Sequence, residues 1–197
     1  MTRTALGFRV RSGWAAAVVL AGPSSSPRNL HVRRIELSDP EFPESRQPFH
    51  AVDDAEGDLE PDEDLIRKRV QVVHGAAAKS IEALLADCHT DGWKPRRAGI
   101  VTGSLIDPST IGSPHIRAHA MEGRLFRTAT EGALRSRGLQ CVVLGQKAIF
   151  GTASAVIHCD EPILKRTLAN LGRGVAGPWR ADEKLAALAA WVALSQG

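Results

Sequence analysis

The chain has no tyrosine, and its 197 residues include only five phenylalanines and four tryptophans. An interior so poor in aromatics has to be built from Val, Leu, Ile and Ala. There are three cysteines, Cys88, Cys141 and Cys159, an odd number without CxxC spacing. That argues against a disulfide framework or a cysteine zinc knuckle, and for reduced thiols in a cytoplasmic setting. No apolar run reaches the roughly 18–20 residues of a membrane helix. The stretch "WAAAVVLAG" behind Arg9 and Arg11 imitates a secretory signal, but it reads better as a buried strand.

Acidic residues are scarce outside one segment. Residues 36–64 hold twelve acids and a single base, Arg46, which leaves 24 bases against 10 acids elsewhere. A basic body of this kind suits a polyanionic partner, nucleic acid first. The simpler account is that the cations are scattered evenly and that the acidic segment folds back over them.

The length fits a single domain, 1–197. "TALGFRVRSGWAAAVVLAG" alternates and then runs apolar, with a break at Ser12-Gly13, as two strands would. "LHVRRIELSD" supplies a third strand behind the turn cluster "GPSSSPRN". Residues 39–61 are rich in Pro, Asp and Glu and read as a long acidic loop. Phe42 and Phe49 would dock its first half on the body, leaving 53–64 solvated.

A helix begins at Asp62, with Ile66, Val70, Val73, Ala77, Ile81, Leu84 and Cys88 as its apolar stripe. "RRAGIVTGSLID" and "LQCVVLG" read as strands; "SPHIRAHAMEGRLFRTATEGALRSRG", "DEPILKRTLANLG" and "ADEKLAALAAWVAL" read as helices. The order β-β-β-α-β-α-β-α-α implies an α/β fold: an antiparallel meander continued by parallel strands through right-handed crossovers, with helices on the faces of the mixed sheet.

One helix carries an anomaly. Ser113 is a good N-cap and Pro114 suits the first helical position. Ala118, Met121, Leu125 and Ala129 then set the core direction. Glu122 falls within that apolar arc, with His115 and His119 on its shoulder. A buried carboxylate needs a partner. Three accounts fit. The first is a structural network in which the histidines satisfy Glu122. The second is a divalent-metal site, completed by His50, Asp107 or Asp182, with the metal's identity open. The third is an acid–base or substrate cleft.

Asp107 ends a strand at the edge where open α/β sheets place ligands, although Asp-Pro also starts turns. Asp182 would project inward near the sheet's end, or else serve as a favourable charge at a helix N-terminus. Trp179 and Arg180 make a stacking and phosphate-binding pair, unless the tryptophan is simply core.

In element order, and in "LGFRVRSGWAAAVVL" and "ADEKLAALAAWVAL", most of the chain resembles the ribonuclease H-like superfamily, which includes Holliday-junction resolvases and several bacterial families. The resemblance implies a mixed sheet flanked by helices. In members that cut nucleic acid it also implies two divalent metals held by carboxylates, one of them an Asp in the middle of the first strand. The matching stretch here is Gly7-Phe8-Arg9-Val10-Arg11, with arginine in that place. Glu122 and Asp182 fall where the helix-borne carboxylates would lie.

Arginine repels a cation and welcomes phosphate or carboxylate. The leading expectation is therefore a ribonuclease H-like domain with a degenerate catalytic centre. It would bind nucleic acid or another anion through Arg9, Arg11 and Arg180, with His115, His119 and Glu122 lining the same crevice. A second reading is a metal-dependent nuclease or hydrolase using His115, His119, Glu122, Asp107 and Asp182. A third is a non-catalytic, partner-binding protein, for instance a homo-oligomer joined through loop 39–61.

Overall fold

The computed structural model describes residues 2–51 and 59–196. Strands β1 (Thr4–Arg11), β2 (Trp14–Ala21), β3 (Arg28–Glu36), β4 (Arg97–Thr102) and β5 (Gln140–Gly145) form one sheet in the order β3-β2-β1-β4-β5. β1 pairs antiparallel with β2, and β2 with β3; β1 pairs parallel with β4, and β4 with β5. This is the meander continued by parallel strands that the element order implied.

Helices α1 (Glu63–Thr90) and α2 (Pro114–Ser136) cover one face, where Val73 and Ile81 of α1 and Phe126 and Leu134 of α2 meet Leu6, Phe8 and Val10 of β1. Helices α3 (Ile149–Ile157), α4 (Glu161–Leu171) and α5 (Ala181–Ser195) cover the other, over Ala5, Val18 and Leu20. Side chains alternate between the faces along a strand. Leu6, Phe8 and Val10 therefore point toward α1 and α2, and Ala5, Gly7 and Arg9 toward α5. Among the described residues, no helix is long and apolar enough to cross a membrane.

The caps follow local chemistry. Asp62 accepts from the Asp64 and Leu65 amides at 2.9 and 3.1 Å and starts α1. Ser113 accepts from the Ile116 amide at 3.4 Å, with Pro114 opening α2. α5 lies unusually close to the sheet, because glycine faces alanine across the contact. A Cβ on Gly7 would stand 1.9 Å from the Ala186 carbonyl oxygen, and one on Gly99 2.2 Å from that of Ala189. That proximity places the N-terminus of α5 beside the end of β1.

Three details differ from the sequence reading. α3 was not anticipated: "IFGTASAVI" mixes glycine with β-branched residues of weak helix propensity and has no side-chain N-cap. It is helical because Ile149 and Ala153 bury against α5. α5 is a helix as read, but it buries far more than one face: every residue from Ala186 to Leu194 is buried, since α3 and α4 close over its back. The acidic loop is also more ordered than its composition suggests. Pro43–Arg46 form a 3-10 turn packed on α1, Phe49 joins the core, and His50 bridges Leu59. Half of the stretch expected to be solvated, 53–58, lies outside the described residues. Beyond it, Asp62, Glu63 and Asp64 are exposed as expected, whereas Glu60 is almost buried, its carboxylate 3.0 Å from Arg69.

Candidate functional site

Six of the eight predicted site residues fall into two clusters on opposite faces of the sheet, so the single crevice expected to join Arg9, Arg11 and Arg180 to His115, His119 and Glu122 is not formed. On the α5 face, β1 carries Arg9 inward to 2% exposure. Its guanidinium donates to the Val10 carbonyl at 2.8 Å, to that of Val101 at 3.5 Å, and to the Gln146 side-chain oxygen. The Arg9 Nε lies 3.7 Å from Asp182 Oδ1. Asp182, in the first turn of α5, also accepts from Arg11 Nη2 at 2.8 Å and from Arg11 Nε at 3.2 Å. Burial, and next the charge of Arg11, lower the Arg9 pKa to about 10, with Asp182 opposing them. One carboxylate thus sits between two arginines where the parallel strands end.

On the α1–α2 face, Glu122 is buried and bonded to histidine. Its Oε1 meets His50 Nδ1 at 2.7 Å, and its Oε2 lies 3.4 Å from His119 Nδ1. His119 Nε2 stands 3.2 Å from His115 Nε2. Burial pushes the Glu122 carboxyl up to about 7, against the opposing pull of His119. Burial, and next His115, depress His50. His50 is held by Arg69, whose Nη1 donates to the His50 carbonyl at 3.0 Å.

Neither cluster contains Asp107. It caps the short turn Pro108–Thr110, accepting from the Ser109 amide at 3.1 Å, with Arg124 3.7 Å away. Those Ser109 hydrogen bonds hold its exposed carboxyl below the usual range. Arg180 is exposed, and its backbone N–H donates to Glu183 at 2.7 Å, closing the start of α5. Trp179 lies against Gly172 and donates to the Leu168 carbonyl at 2.8 Å, so the indole is committed to packing.

A third feature lies at the other end of the sheet, where β1 and β4 begin. A groove of about 590 Å³ is lined by Arg3, Arg28, Lys94, Arg96 and Arg97, with Trp93 among them and no acidic residue. The side chains of Arg28, Lys94, Arg96 and Arg97 form no ion pair among the described residues. Sequence reasoning passed over it. "WKPRR", which runs into the first residue of β4, was the available signal, but Arg28 joins only through the sheet.

Comparison with solved structures fits this layout. RuvC of Thermus thermophilus aligns with a TM-score of 0.52 and 13% identity, covering 96% of this chain and 92% of that one. T. thermophilus RuvC in complex with Holliday junction substrate aligns equally well, covering 96% of this chain and 91% of that one. The fold is ribonuclease H-like. No protein-family model matches the chain, and no curated protein matches its sequence.

The metals of ribonuclease H-like nucleases do not fit the residues present. Such a site needs a carboxylate in the middle of the first strand, with helix-borne carboxylates converging on it. Here Arg9 occupies that place, and Asp182 is engaged by two guanidiniums. Glu122 lies across the sheet, bonded to His50. A second cation beside Arg9 would be repelled.

Proposed function

We propose that this ribonuclease H-like domain binds a polyanion, nucleic acid first, and does not perform two-metal phosphodiester hydrolysis. The observation that carries the reading is the acid-free groove of Arg3, Arg28, Lys94, Arg96 and Arg97 with Trp93. Clustered cations with an aromatic among them suit phosphates and stacked bases. The Arg9–Asp182–Arg11 cluster supports the loss of nuclease chemistry, because its charges are turned on each other. Arg11 and Arg180 remain solvent-facing cations at the opposite rim. That RuvC has been solved with Holliday junction substrate makes a four-way junction a natural probe. Three unpaired cysteines support a reducing, cytoplasmic setting. Partner docking through 39–51 is less favoured, since Phe49 and the Pro43–Arg46 turn are spent on the chain's own core.

The test is fluorescence anisotropy with labelled single-stranded, duplex and four-way-junction DNA, and with RNA. If four cations meet phosphates, affinity should fall roughly 100-fold between about 50 and 200 mM salt. Lys94→Ala combined with Arg96→Ala should weaken binding and roughly halve that salt slope. No DNA should be cut in magnesium or manganese. Absence of binding at low salt sinks the reading, as does a double variant that binds like the wild type.

A further inference from the structure

We propose that His50, His115 and His119 form a binding site for one divalent transition metal of the zinc class, with Glu122 as the carboxylate that orients the ligands. The site stands apart from the polyanion reading and does not depend on it.

The three rings come from two places in the chain. His115 and His119 lie one turn apart on α2, and His50 arrives from the loop pinned by Arg69. Their centroids are 4.6 Å apart for His50–His119 and His115–His119, and 5.3 Å for His50–His115. One ligand nitrogen from each lies within 4.8 Å of the other two. The Nε2 atoms of His115 and His119 stand 3.2 Å apart. Two nitrogens of a tetrahedral zinc site, each about 2.0–2.1 Å from the ion, are separated by about 3.3 Å.

A hydrogen bond between two imidazoles would explain that one distance. It leaves His50 unexplained. His50 is 8% exposed, and its Nε2 is buried without a hydrogen-bond partner among the described residues. An orphaned buried nitrogen is costly; coordination would satisfy it. Glu122 supplies the complementary half of the design. It faces the Nδ1 atoms of both His50 and His119, at 2.7 and 3.4 Å, which turns both Nε2 atoms away from the carboxylate. Carboxylate–histidine–metal relays set the tautomer in this way. Glu122 is therefore assigned outside the coordination sphere rather than within it.

Three neutral imidazoles and no thiolate suit zinc and its neighbours over magnesium or calcium. His115 and His119 are exposed, so a fourth position would open to solvent. Three protein ligands with an open position characterise catalytic zinc; structural sites are closed by four. The class of ligand expected there is water or an oxygen-donor anion.

The experiment uses the full chain without a histidine tag, stripped by chelation. Zinc affinity is measured by competition with a chromophoric chelator, and cobalt(II) loading is followed in the visible spectrum. One ion per chain is expected, with d–d bands of low coordination number and no sulfur-to-metal charge transfer. Glu122→Gln should weaken zinc by about 10–100-fold. His115→Ala and His119→Ala, both at exposed positions, should weaken it more, while circular dichroism confirms an unchanged fold. Failure to retain zinc above a chelator blank overturns the proposal. So does a His119→Ala variant that binds as tightly as the wild type, or a thiolate band that assigns the metal to cysteine. The DNA-binding assay is untouched by any of these results, so the two readings fail separately.

Discussion

Replacing Arg69 with leucine is expected to lower the unfolding free energy by about 3–5 kcal/mol, the cost of breaking a buried ion pair from one side. Arg69 sits in α1 at 1% exposure. It lies 3.0 Å from Glu60, itself about 10% exposed, and donates to the Pro48 and His50 carbonyls at 3.3 and 3.0 Å. Leucine fills part of the volume but leaves a nearly buried carboxylate and two carbonyls without their cation. Urea denaturation followed by circular dichroism measures the loss. Arg69→Lys should recover only part of it, because a point charge cannot reach all three acceptors in a fixed fork. The segment carrying His50 should loosen in the leucine variant, so its zinc affinity should fall as well. A loss below about 1 kcal/mol, the range of exposed pairs, would show that this cation does not hold the loop.

The second large effect is expected at Gly7. Here Gly7→Val should cost about 3 kcal/mol or more, at or beyond the upper end of ordinary overpacking. The new Cβ would meet the Ala186 carbonyl oxygen at 1.9 Å and the Ala190 amide nitrogen at 2.5 Å. Both are backbone atoms of a helix buried on every side, so α5 would have to lift as a unit and carry Asp182 away from Arg9 and Arg11. Gly75→Ala is the control with opposite sign. Gly75 lies on exposed α1 surface with nothing within 4 Å of an added Cβ, so alanine should stabilise by up to about 1 kcal/mol through helix propensity. Thermal melts of the two variants should move in opposite directions; equal shifts would refute the close-packing account.

Much of the architecture was legible because period-2 and period-3.6 patterns are local. The stripe Val73, Ala77, Ile81, Leu84 and Cys88 is buried as read, and Asp62 and Ser113 cap where the rules place them. α3 escaped because its helicity comes from burial against α5 rather than from its own propensities. The anomaly on α2 was also visible: Glu122 does lie inward with both histidines beside it. Which of His50, Asp107 and Asp182 would join it was not legible; the partner is His50, 72 residues away, on a loop that Arg69 holds by its carbonyl.

The two arginines of β1 illustrate the same division. The replacement of a strand carboxylate by Arg9 can be read directly, and so can the chemistry it rules out. That Arg9 faces α5 while Glu122, on α2, lies on the opposite face follows from strand alternation combined with which helix covers which face. One-dimensional periodicity specifies the strands, helices, caps and apolar faces of this chain, because each depends on neighbours within a few residues. The pairing of Asp182 with Arg9 and Arg11, the triad of imidazoles and the cation-lined groove each join segments brought together by packing. Their geometry comes from the balance of burial and charge across the assembled layers, which no local stretch encodes.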